Sequence, residues 1–377
     1  MFKKIEVRNF KSLRDFHLAD LPKMVFLTGL NGSGKSTLLQ FLGFAQAFLQ
    51  GKVSEWREHA HWEAEEILSL DAKEKSLAFS LTATEGKRSQ TWSAHYDPKA
   101  ERCIKEELVE EENESSRIRF RFENKTVTLD GASYSLPAAL APKGSLFSFF
   151  APTNPQDFFV LEEVRKLKVF QVLDPDAIAQ STQTSAAEPE FSVAPNGKGL
   201  VGFLAKMEER KRLKLFQQLQ DFYPALTEHK IRKQPFGWKN LMLKEEGGRF
   251  FDATHLSYGT LRLLVILSQL HSSASLLAFD EIENGLNQEM LEKLLHALQG
   301  DNEKQILVTT HSAQFLNYLS DEEAREEVFF FYKDSDGGTQ ATKPFLEKSF
   351  QESLTFLGAG EALGNTDLVQ YAQSLIH

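Results

Sequence analysis

Apolar and charged residues alternate along residues 2–10, which predicts an edge or hairpin strand. A short apolar stretch, KMVFLTG, then ends at a glycine and predicts a buried strand. After Ser36, apolar residues recur at helical spacing in TLLQFLGFAQAFL, so a helix follows directly. The chain therefore opens with the order strand, glycine-rich loop, helix.

The period changes to two between Leu77 and Leu136, where apolar residues alternate with polar ones over several short segments. This pattern predicts an antiparallel meander. The acidic run EELVEEENE, residues 106–114, interrupts it, and we expect a solvated loop or a short helix there. The alternative for this run is a disordered interaction tail.

The second half of the chain alternates helices and strands. Residues 179–199 are poor in apolar side chains and predict a surface connection, and a helix is expected from Leu200 through Phe222. An apolar helix from Leu261, the strand SLLAFDE, a helix from about Gln288 to Leu298 and the strands QILVTTHS and EVFFFYK follow. This alternation predicts a parallel sheet.

Composition narrows the class of protein. The chain has 377 residues, a formal net charge of -10 and one cysteine, Cys103. This charge argues against wrapping nucleic acid with the whole surface, although a local basic face stays open. A single cysteine allows no internal disulfide and fits a reducing compartment. The best apolar run carries Arg262 and Ser268 and there is no apolar signal region, so we expect a cytoplasmic protein without a membrane span.

The stretch GLNGSGKS, Gly29 to Ser36, matches the phosphate-binding P-loop and stands between the predicted strand and helix. Its glycines let backbone N–H groups surround phosphate oxygens at the positive end of the helix. We expect Lys35 to neutralise the β- and γ-phosphates and Ser36 to ligate Mg²⁺. The predicted nucleotide-binding residues are Gly29, Leu30, Asn31, Gly32, Ser33, Gly34, Lys35, Ser36 and Thr37.

Two later strands end in residues that suit phosphate chemistry. LLAFDEIENGLN delivers Asp280 as the candidate metal ligand and Glu281 as the candidate base or water-positioning group. QILVTTHS brings His311 to another strand end, where an imidazole could contact a γ-phosphate. We therefore expect Glu281 and His311 to be catalytic.

Together these motifs, with LSYG at Leu256–Gly259 and VRNFKS at Val7–Ser12, resemble the ABC-type ATPase heads of the SMC/RecF-like group. The similarity extends to small bacterial ATPases, including those of antiphage defence systems. It implies an α/β P-loop NTPase fold, an ABC-ATPase-like head with an antiparallel β-rich lobe and a helical signature subdomain. The predicted parts are 1–50 with the P-loop, 51–176 the β-rich lobe, 177–255 a linker and helical subdomain, and 256–377 the remaining motifs.

The segment HLSYGTLRLL raises the question of a second phosphate contact. Ser257 offers a hydroxyl and Gly259 a backbone N–H at a helix start, which is an anion-binding arrangement. The resemblance implies that this serine reaches the nucleotide of the opposite subunit in an ATP-dependent homodimer, and that Asn287 faces that subunit. A glutamine that would contact the γ-phosphate is not evident, and Gln156 is the candidate.

The predicted activity is that of an ATPase switch with ATP and Mg²⁺ as its ligands. One hypothesis links it to DNA in repair or phage defence, through a basic face. The residues of this face are Lys206, Arg210, Lys211, Arg212, Lys214, Lys230, Arg232 and Lys233, and the alternative for them is a solvated helix face without a partner. The alternative is the regulatory subunit of an effector complex that contains a toxin or nuclease. A third hypothesis, an intrinsic nuclease of the OLD type, depends on Asp334 and Asp336, which are more typical of a hairpin turn. His59 and His61 form a weak metal-binding pair.

Overall fold

The computed structural model describes residues 1–70, 72–113, 115–137, 142–149, 155–184, 191–300 and 303–376. The strands are β1 (Phe2–Phe10), β2 (Leu13–Leu18), β3 (Met24–Gly29), β4 (Leu77–Glu85), β5 (Arg88–Asp97), β6 (Arg102–Glu112), β7 (Ser115–Glu123), β8 (Thr126–Leu129), β9 (Ala132–Ser135), β10 (Lys168–Phe170), β11 (Thr182–Gln183), β12 (Leu226–Lys233), β13 (Trp238–Glu245), β14 (Phe250–Asp252), β15 (Leu276–Phe279), β16 (Gln305–Thr309), β17 (Val328–Lys333) and β18 (Thr339–Thr342). The helices are α1 (Lys35–Leu49), α2 (Val53–His59), α3 (Phe159–Lys166), α4 (Pro175–Ala179), α5 (Leu200–Lys206), α6 (Glu209–Phe222), α7 (Tyr258–Leu270), α8 (Gln288–Gln299), α9 (Ala313–Leu316), α10 (Asp321–Glu327), α11 (Lys348–Leu354), α12 (Ala359–Gly364) and α13 (Leu368–Ser374).

The central sheet has the strand order β10-β15-β16-β3-β17-β18. Neighbouring strands are parallel except for the antiparallel hairpin of β17 and β18. The predicted parallel sheet is therefore confirmed. Every residue of β3, β15 and β16 is buried, which is why these strands appear in the sequence as continuous apolar runs.

Hydrophobic cores cover both faces of the central sheet. Because side chains alternate along a strand, Val25 and Leu27 of β3 join one core while Met24 and Phe26 join the other. The first core lies against α1 and the large antiparallel sheet, and the second contains α7 and α8. Packing on both faces fixes the direction in which α1 leaves the end of β3.

The large antiparallel sheet has the order β2-β1-β4-β5-β6-β7-β8-β9. Consecutive strands from β4 to β9 pair with one another, so the predicted meander is confirmed. The first strand forms the predicted hairpin with β2 and also pairs with β4, so it lies inside the sheet and not at the edge that was the other expectation. The N-terminal hairpin thus belongs to the same sheet as the meander, and β3 of the central sheet follows it in the chain.

The predicted loop or short helix at the acidic run is wrong, because residues 106–112 belong to β6. The buried face of this strand carries every second residue, namely Glu106, Leu108 and Glu110. The Glu106 carboxylate accepts hydrogen bonds from Trp92 Nε1 and the Leu146 backbone nitrogen, both at 2.8 Å, and from the Ser145 hydroxyl. Glu110 pairs with two arginines, Arg117 and Arg119. Partners on neighbouring strands and in the segment near Ser145 thus allow these acids inside the sheet. Glu114, the last residue of the acidic run, lies outside the described residues.

The single helix predicted from Leu200 to Phe222 is also wrong, because extended backbone at Met207 and Glu208 separates α5 from α6. Arg212 fills this break: its Nη1 donates to the carbonyl oxygens of Leu204 and Met207, each at 3.2 Å. Arg212 therefore has a structural role within its own chain. The prediction that it belongs to a basic face did not include this role. Periodicity missed the break because apolar spacing continues across it.

A smaller sheet combines β11, which precedes this helical pair, with β12, β13 and β14, which follow it. Strand β12 lies at its edge, where β13 is its one partner among the described strands. In the part of the chain that the structure describes, no helix is both long and apolar enough to cross a bilayer.

Candidate nucleotide-binding site

The loop Gly29–Ser36 connects β3 to α1 and lies against the β17–β18 hairpin. A Cβ atom at Gly29 would lie 2.3 Å from the carbonyl oxygen of Phe331, and one at Gly34 would lie 2.1 Å from Thr339 Oγ1. Both glycines also have left-handed φ angles, of 131° and 110°. Thr339 further donates to the carbonyl oxygen of Ser33 at 2.8 Å. The loop geometry therefore depends on glycine and on the strands behind it.

The Lys35 ammonium group lies inside the loop. Its Nζ donates to the carbonyl oxygens of Gly29 at 2.9 Å and Leu30 at 3.0 Å, and only 5% of the residue is exposed. Burial lowers the pKa of Lys35 to about 8, while Asp280, Glu281 and Glu283 oppose this shift. Among the described residues, this buried cation beside a helix N-terminus has no anionic hydrogen-bond partner, so the chemistry of this position fits a phosphate.

Asp280 and Glu281 directly follow β15 and face the P-loop helix. Ser36 Oγ donates to Asp280 Oδ1 at 3.2 Å. Thr309, the last residue of β16, donates to the same oxygen at 2.5 Å and accepts the backbone N–H of Glu281 at 2.7 Å. Hydroxyl and carboxylate oxygens are the donors that Mg²⁺ prefers, so the Ser36 and Asp280 pair fits this ion.

His311 lies at the same edge of the sheet, two residues after β16. Its backbone N–H donates to Glu283 Oε1 at 2.6 Å, and its side chain is exposed. Within the described residues, Glu283 Oε2 is buried without a hydrogen-bond partner. The fold therefore brings the P-loop, the Asp280–Glu281 pair and the His311 segment to one edge of the central sheet.

The family described as "AAA domain, putative AbiEii toxin, Type IV TA system" matches residues 24–317. The chain belongs to this family. Its fold is similar to an Smc head solved in complex with the C-winged helix domain of ScpA, with a TM-score of 0.55 and 14% identity over 90% of this chain and 96% of that chain. An SMC head domain from Thermotoga maritima gives a TM-score of 0.45 and 13% identity over 90% of this chain and 98% of that chain. Among curated proteins no sequence matches the chain.

These comparisons confirm the predicted fold, an α/β P-loop ATPase of the SMC-like, ABC-type head class. The family match spans the P-loop, the LSYG segment, the Asp280–Glu281 pair and His311. ATPases of this kind generally bind ATP with Mg²⁺. At 14% identity the structural likeness concerns the fold, and the roles of single residues stay predictions.

Ser257 lies at the start of α7 and is exposed. Its Oγ accepts the Thr260 N–H at 3.2 Å, and among the described contacts it has no hydrogen bond to the P-loop of its own chain. Helix α7 begins at Tyr258, three residues before the predicted start, so Gly259 lies within its first turn. A Cβ atom at Gly259 would lie 2.3 Å from the carbonyl oxygen of Gly285, which makes glycine necessary for this contact.

A glutamine that the sequence interpretation missed contacts the P-loop helix. Gln171 follows β10, and its Nε2 donates to the carbonyl oxygen of Ser36 at 3.3 Å. The side chain of the earlier candidate, Gln156, lies outside the described residues. Strand β10 spans three residues, too few for periodicity to detect, and a glutamine directly after the apolar pair VF was the available signal.

The turn between β1 and β2 forms another wall near the loop. Ser12 Oγ donates to Thr37 Oγ1 at 3.3 Å, and Lys11 Nζ lies 3.0 Å from the ring centroid of Trp62. A cavity of about 900 Å³ is lined by Lys11, Ser12 and Lys333, among others. The VRNFKS segment is therefore in contact with the first turn of α1, directly after the P-loop.

Asp334 and Asp336 lie in the turn of the β17–β18 hairpin. Asp334 Oδ1 accepts backbone N–H groups from Gly338 at 2.7 Å and Asp336 at 3.1 Å, so the predicted hairpin turn is confirmed. In the described parts of the chain, no three His, Cys, Asp or Glu residues are grouped to hold a metal ion, and this includes His59 and His61.

Proposed function

We propose that this chain binds ATP with Mg²⁺, hydrolyses ATP, and dimerises around two nucleotides. The observation that carries the proposal is the 3.2 Å contact between Ser36 Oγ and Asp280 Oδ1. It joins the P-loop helix to the acid pair, which are the two parts that phosphoryl transfer from ATP requires.

Each residue has a distinct role in this proposal. Lys35 binds the β- and γ-phosphates, and Ser36 with Asp280 holds the metal. When bound, Mg²⁺ supplies positive charge that offsets the charge of the phosphates. Glu281 orients the attacking water and accepts its proton, while His311 and Gln171 contact the γ-phosphate side.

The position of Ser257 supports a homodimer. Helix α7 begins with an exposed serine whose described hydrogen bonds are local to its own first turn. The P-loop helix α1 already provides an N-terminus for the phosphates of the nucleotide bound to its own chain. The second helix N-terminus, at α7, therefore suits the nucleotide bound to another subunit. A twofold pair would form two such composite sites, and Asn287 would face the partner.

For the action of the switch we propose contact with DNA in repair or phage defence. Lys230, Arg232 and Lys233 are exposed on the edge strand β12, and Phe236 at the tip of its hairpin is 89% exposed. Cations beside an exposed aromatic ring suit phosphates and stacked bases. DNA binding that weakens steeply with salt, and weakens further in Phe236→Ala, is the expected result.

The second candidate is a regulatory ATPase in a toxin or nuclease effector complex. The family description, which names a toxin of a type IV system, favours it. Copurification of one specific protein from the native host, with an amount that changes on adding ATP, supports this candidate. Binding to DNA by the purified chain alone supports the first.

The dimer and the ATPase activity are tested together with Glu281→Gln. The amide keeps the shape of the side chain but cannot accept a proton, so ATP stays bound while turnover falls by about a hundredfold or more. Light scattering after size exclusion should show a dimer with ATP and a smaller species without nucleotide. Near-normal turnover in this variant, or a mass that ATP does not change, contradicts the corresponding half of the proposal.

A further inference from the structure

Arg262 of α7 carries a buried charge without a carboxylate partner in the described part of the chain. The residue is 3% exposed, and its Nη2 donates to the carbonyl oxygens of Asp280 at 2.7 Å and Glu281 at 2.6 Å. Its Nη1 donates to the Tyr258 hydroxyl at 3.0 Å. Burying a guanidinium group costs free energy. Its hydrogen bonds to the backbone of both candidate acids therefore require an explanation.

Those bonds hold a strained backbone. Glu281 has a φ angle of 46°, in the left-handed region that bulky residues rarely adopt. Its N–H is held by Thr309 Oγ1 at 2.7 Å and its carbonyl oxygen by Arg262 at 2.6 Å. Such a conformation persists only where the surroundings fix it. The direction of the Glu281 side chain therefore depends on these two residues.

Arg262 also contacts the start of α7 through the Tyr258 hydroxyl. Tyr258, directly after Ser257, accepts the hydrogen bond from Arg262 and donates to the carbonyl oxygen of Leu173 at 3.4 Å. A Cβ atom at Gly285 would lie 2.8 Å from the Tyr258 ring, so the first turn of α7 also touches the loop after the acids. A shift of this turn would therefore reach Glu281 through direct contacts.

We infer that Arg262 is a positioning residue that ties the first turn of α7 to the backbone of Glu281. Contact of Ser257 with the partner's nucleotide then sets the orientation of the Glu281 carboxylate, so that hydrolysis follows dimerisation. This inference rests on the proposed function and adds a regulatory connection within the same site. ATP binding by the P-loop does not depend on it.

The test compares Arg262→Met with Arg262→Lys and with Arg119→Met. Arg119 is a matched control because its guanidinium is also buried, and it pairs with Glu110 and Asp130 in the β-rich lobe, away from the acids of the site. We expect Arg262→Met to lower kcat by about a hundredfold, as a misplaced catalytic group does. The KM and the dissociation constant for ATP should change less than about threefold, since the P-loop is intact. Arg262→Lys should recover part of kcat, and Arg119→Met should leave it unchanged.

A second readout follows the backbone itself. In wild type, ATP should slow hydrogen exchange in residues 280–286, and in Arg262→Met this slowing should be lost while the slowing at the P-loop remains. Should Arg262→Met fail to fold, Tyr258→Phe removes only the hydroxyl and should lower kcat by a smaller factor with the same exchange signature. Where both variants fold, their effects on kcat should not be additive.

The outcomes separate this inference from the function on which it rests. A wild-type chain without turnover contradicts the proposed function. If wild type hydrolyses ATP and Arg262→Met, or Tyr258→Phe in its place, keeps its kcat and its exchange pattern, the inference alone is wrong. An equal loss of kcat and ATP affinity likewise overturns it, because this result indicates general damage to the site.

Discussion

Thr309 Oγ1 lies 2.5 Å from Asp280 Oδ1 and also accepts the backbone N–H of Glu281. One buried hydroxyl at the end of β16 thus fixes the side chain of one acid and the backbone of the next. The strand that leads to His311 therefore also sets the geometry of the acid pair, because β16 lies between β15 and β3 in the sheet.

Thr309→Val keeps the branched shape but removes both hydrogen bonds. We expect kcat to fall about ten- to a hundredfold, because Asp280 and Glu281 lose a shared support. The free energy of unfolding should fall by about 1–3 kcal/mol, since the backbone N–H of Glu281 loses its partner. Steady-state kinetics and urea unfolding measure these effects. Thr309→Ser retains the hydroxyl and serves as the control, and equal losses in both variants would refute the role of the hydrogen bonds.

Lys35→Ala should abolish ATP binding, because the loop loses the ammonium group that faces the β- and γ-phosphates in the proposed site. The stability of the nucleotide-free protein should not fall, since burial already disfavours the charged amine. Calorimetric titration with ATP and thermal unfolding measure the two effects. Lys23→Ala, at the opposite end of β3, provides a control that should bind ATP normally. Unchanged ATP affinity in Lys35→Ala would reject the site.

Burial raises the pKa of Glu106 from 4.5 to about 7, while hydrogen bonds from Ser145, Trp92 and Leu146 oppose the shift. Between these pH values the folded protein therefore holds a proton at Glu106 that the unfolded chain has lost. The contribution of Glu106 to stability is then greatest below pH 4.5 and falls as pH rises to about 7, by up to about 3 kcal/mol. Above pH 7 no further change is expected from this group.

The comparison of Glu106→Gln with wild type isolates this group from the other titrating side chains. The wild-type advantage in the free energy of unfolding should shrink as pH rises from 5 to 8, since the amide does not ionise. Urea unfolding at several pH values measures it. A difference between the two proteins that stays constant over this range would contradict the shifted pKa.

The sequence predicted the parts of this protein whose signals are local. The P-loop has a fixed spacing, β3 and β15 are continuous apolar runs, and the meander shows a period of two. The roles of Arg262 and Thr309 depend instead on contacts between segments far apart in the chain, 18 residues or more. Arg262 stands out as a charged residue in an apolar run, but the sequence does not show which carbonyl oxygens it binds. Thr309 does not differ from an ordinary strand residue, so no local pattern marks it.

The acidic run was predicted wrongly because the partners of its buried acids also come from other segments of the chain. Charge density predicted exposure for Glu106 and Glu110, although Leu108 between them already gave the spacing of one face of a strand. Their donors come from β5, β7 and the segment near Ser145, which only the folded sheet brings together. Gln171 escaped notice because its strand is only three residues long.

Ser257→Arg tests whether the LSYG segment acts on the partner's nucleotide. Ser257 is exposed and does not bond to its own P-loop in the described contacts, so ATP affinity should change less than about threefold. A bulky cation at the dimer contact should block ATP-induced dimerisation and hydrolysis. Mixing inactive Lys35→Ala with inactive Ser257→Arg should restore part of the activity, because a mixed dimer retains one composite site with both parts intact.

The decisive measurement is the mass of the Ser257→Arg, Glu281→Gln double variant with ATP. The single variant Glu281→Gln is the matched control, and it should dimerise under the same conditions. Because activity in the mixing experiment could require both composite sites at once, a failed rescue there is weaker evidence than mass. Mass does not depend on turnover, since Glu281→Gln has already removed it. A stable ATP-bound dimer of the double variant would show that Ser257 does not lie at the partner's nucleotide, and a monomer that still binds ATP would place it there.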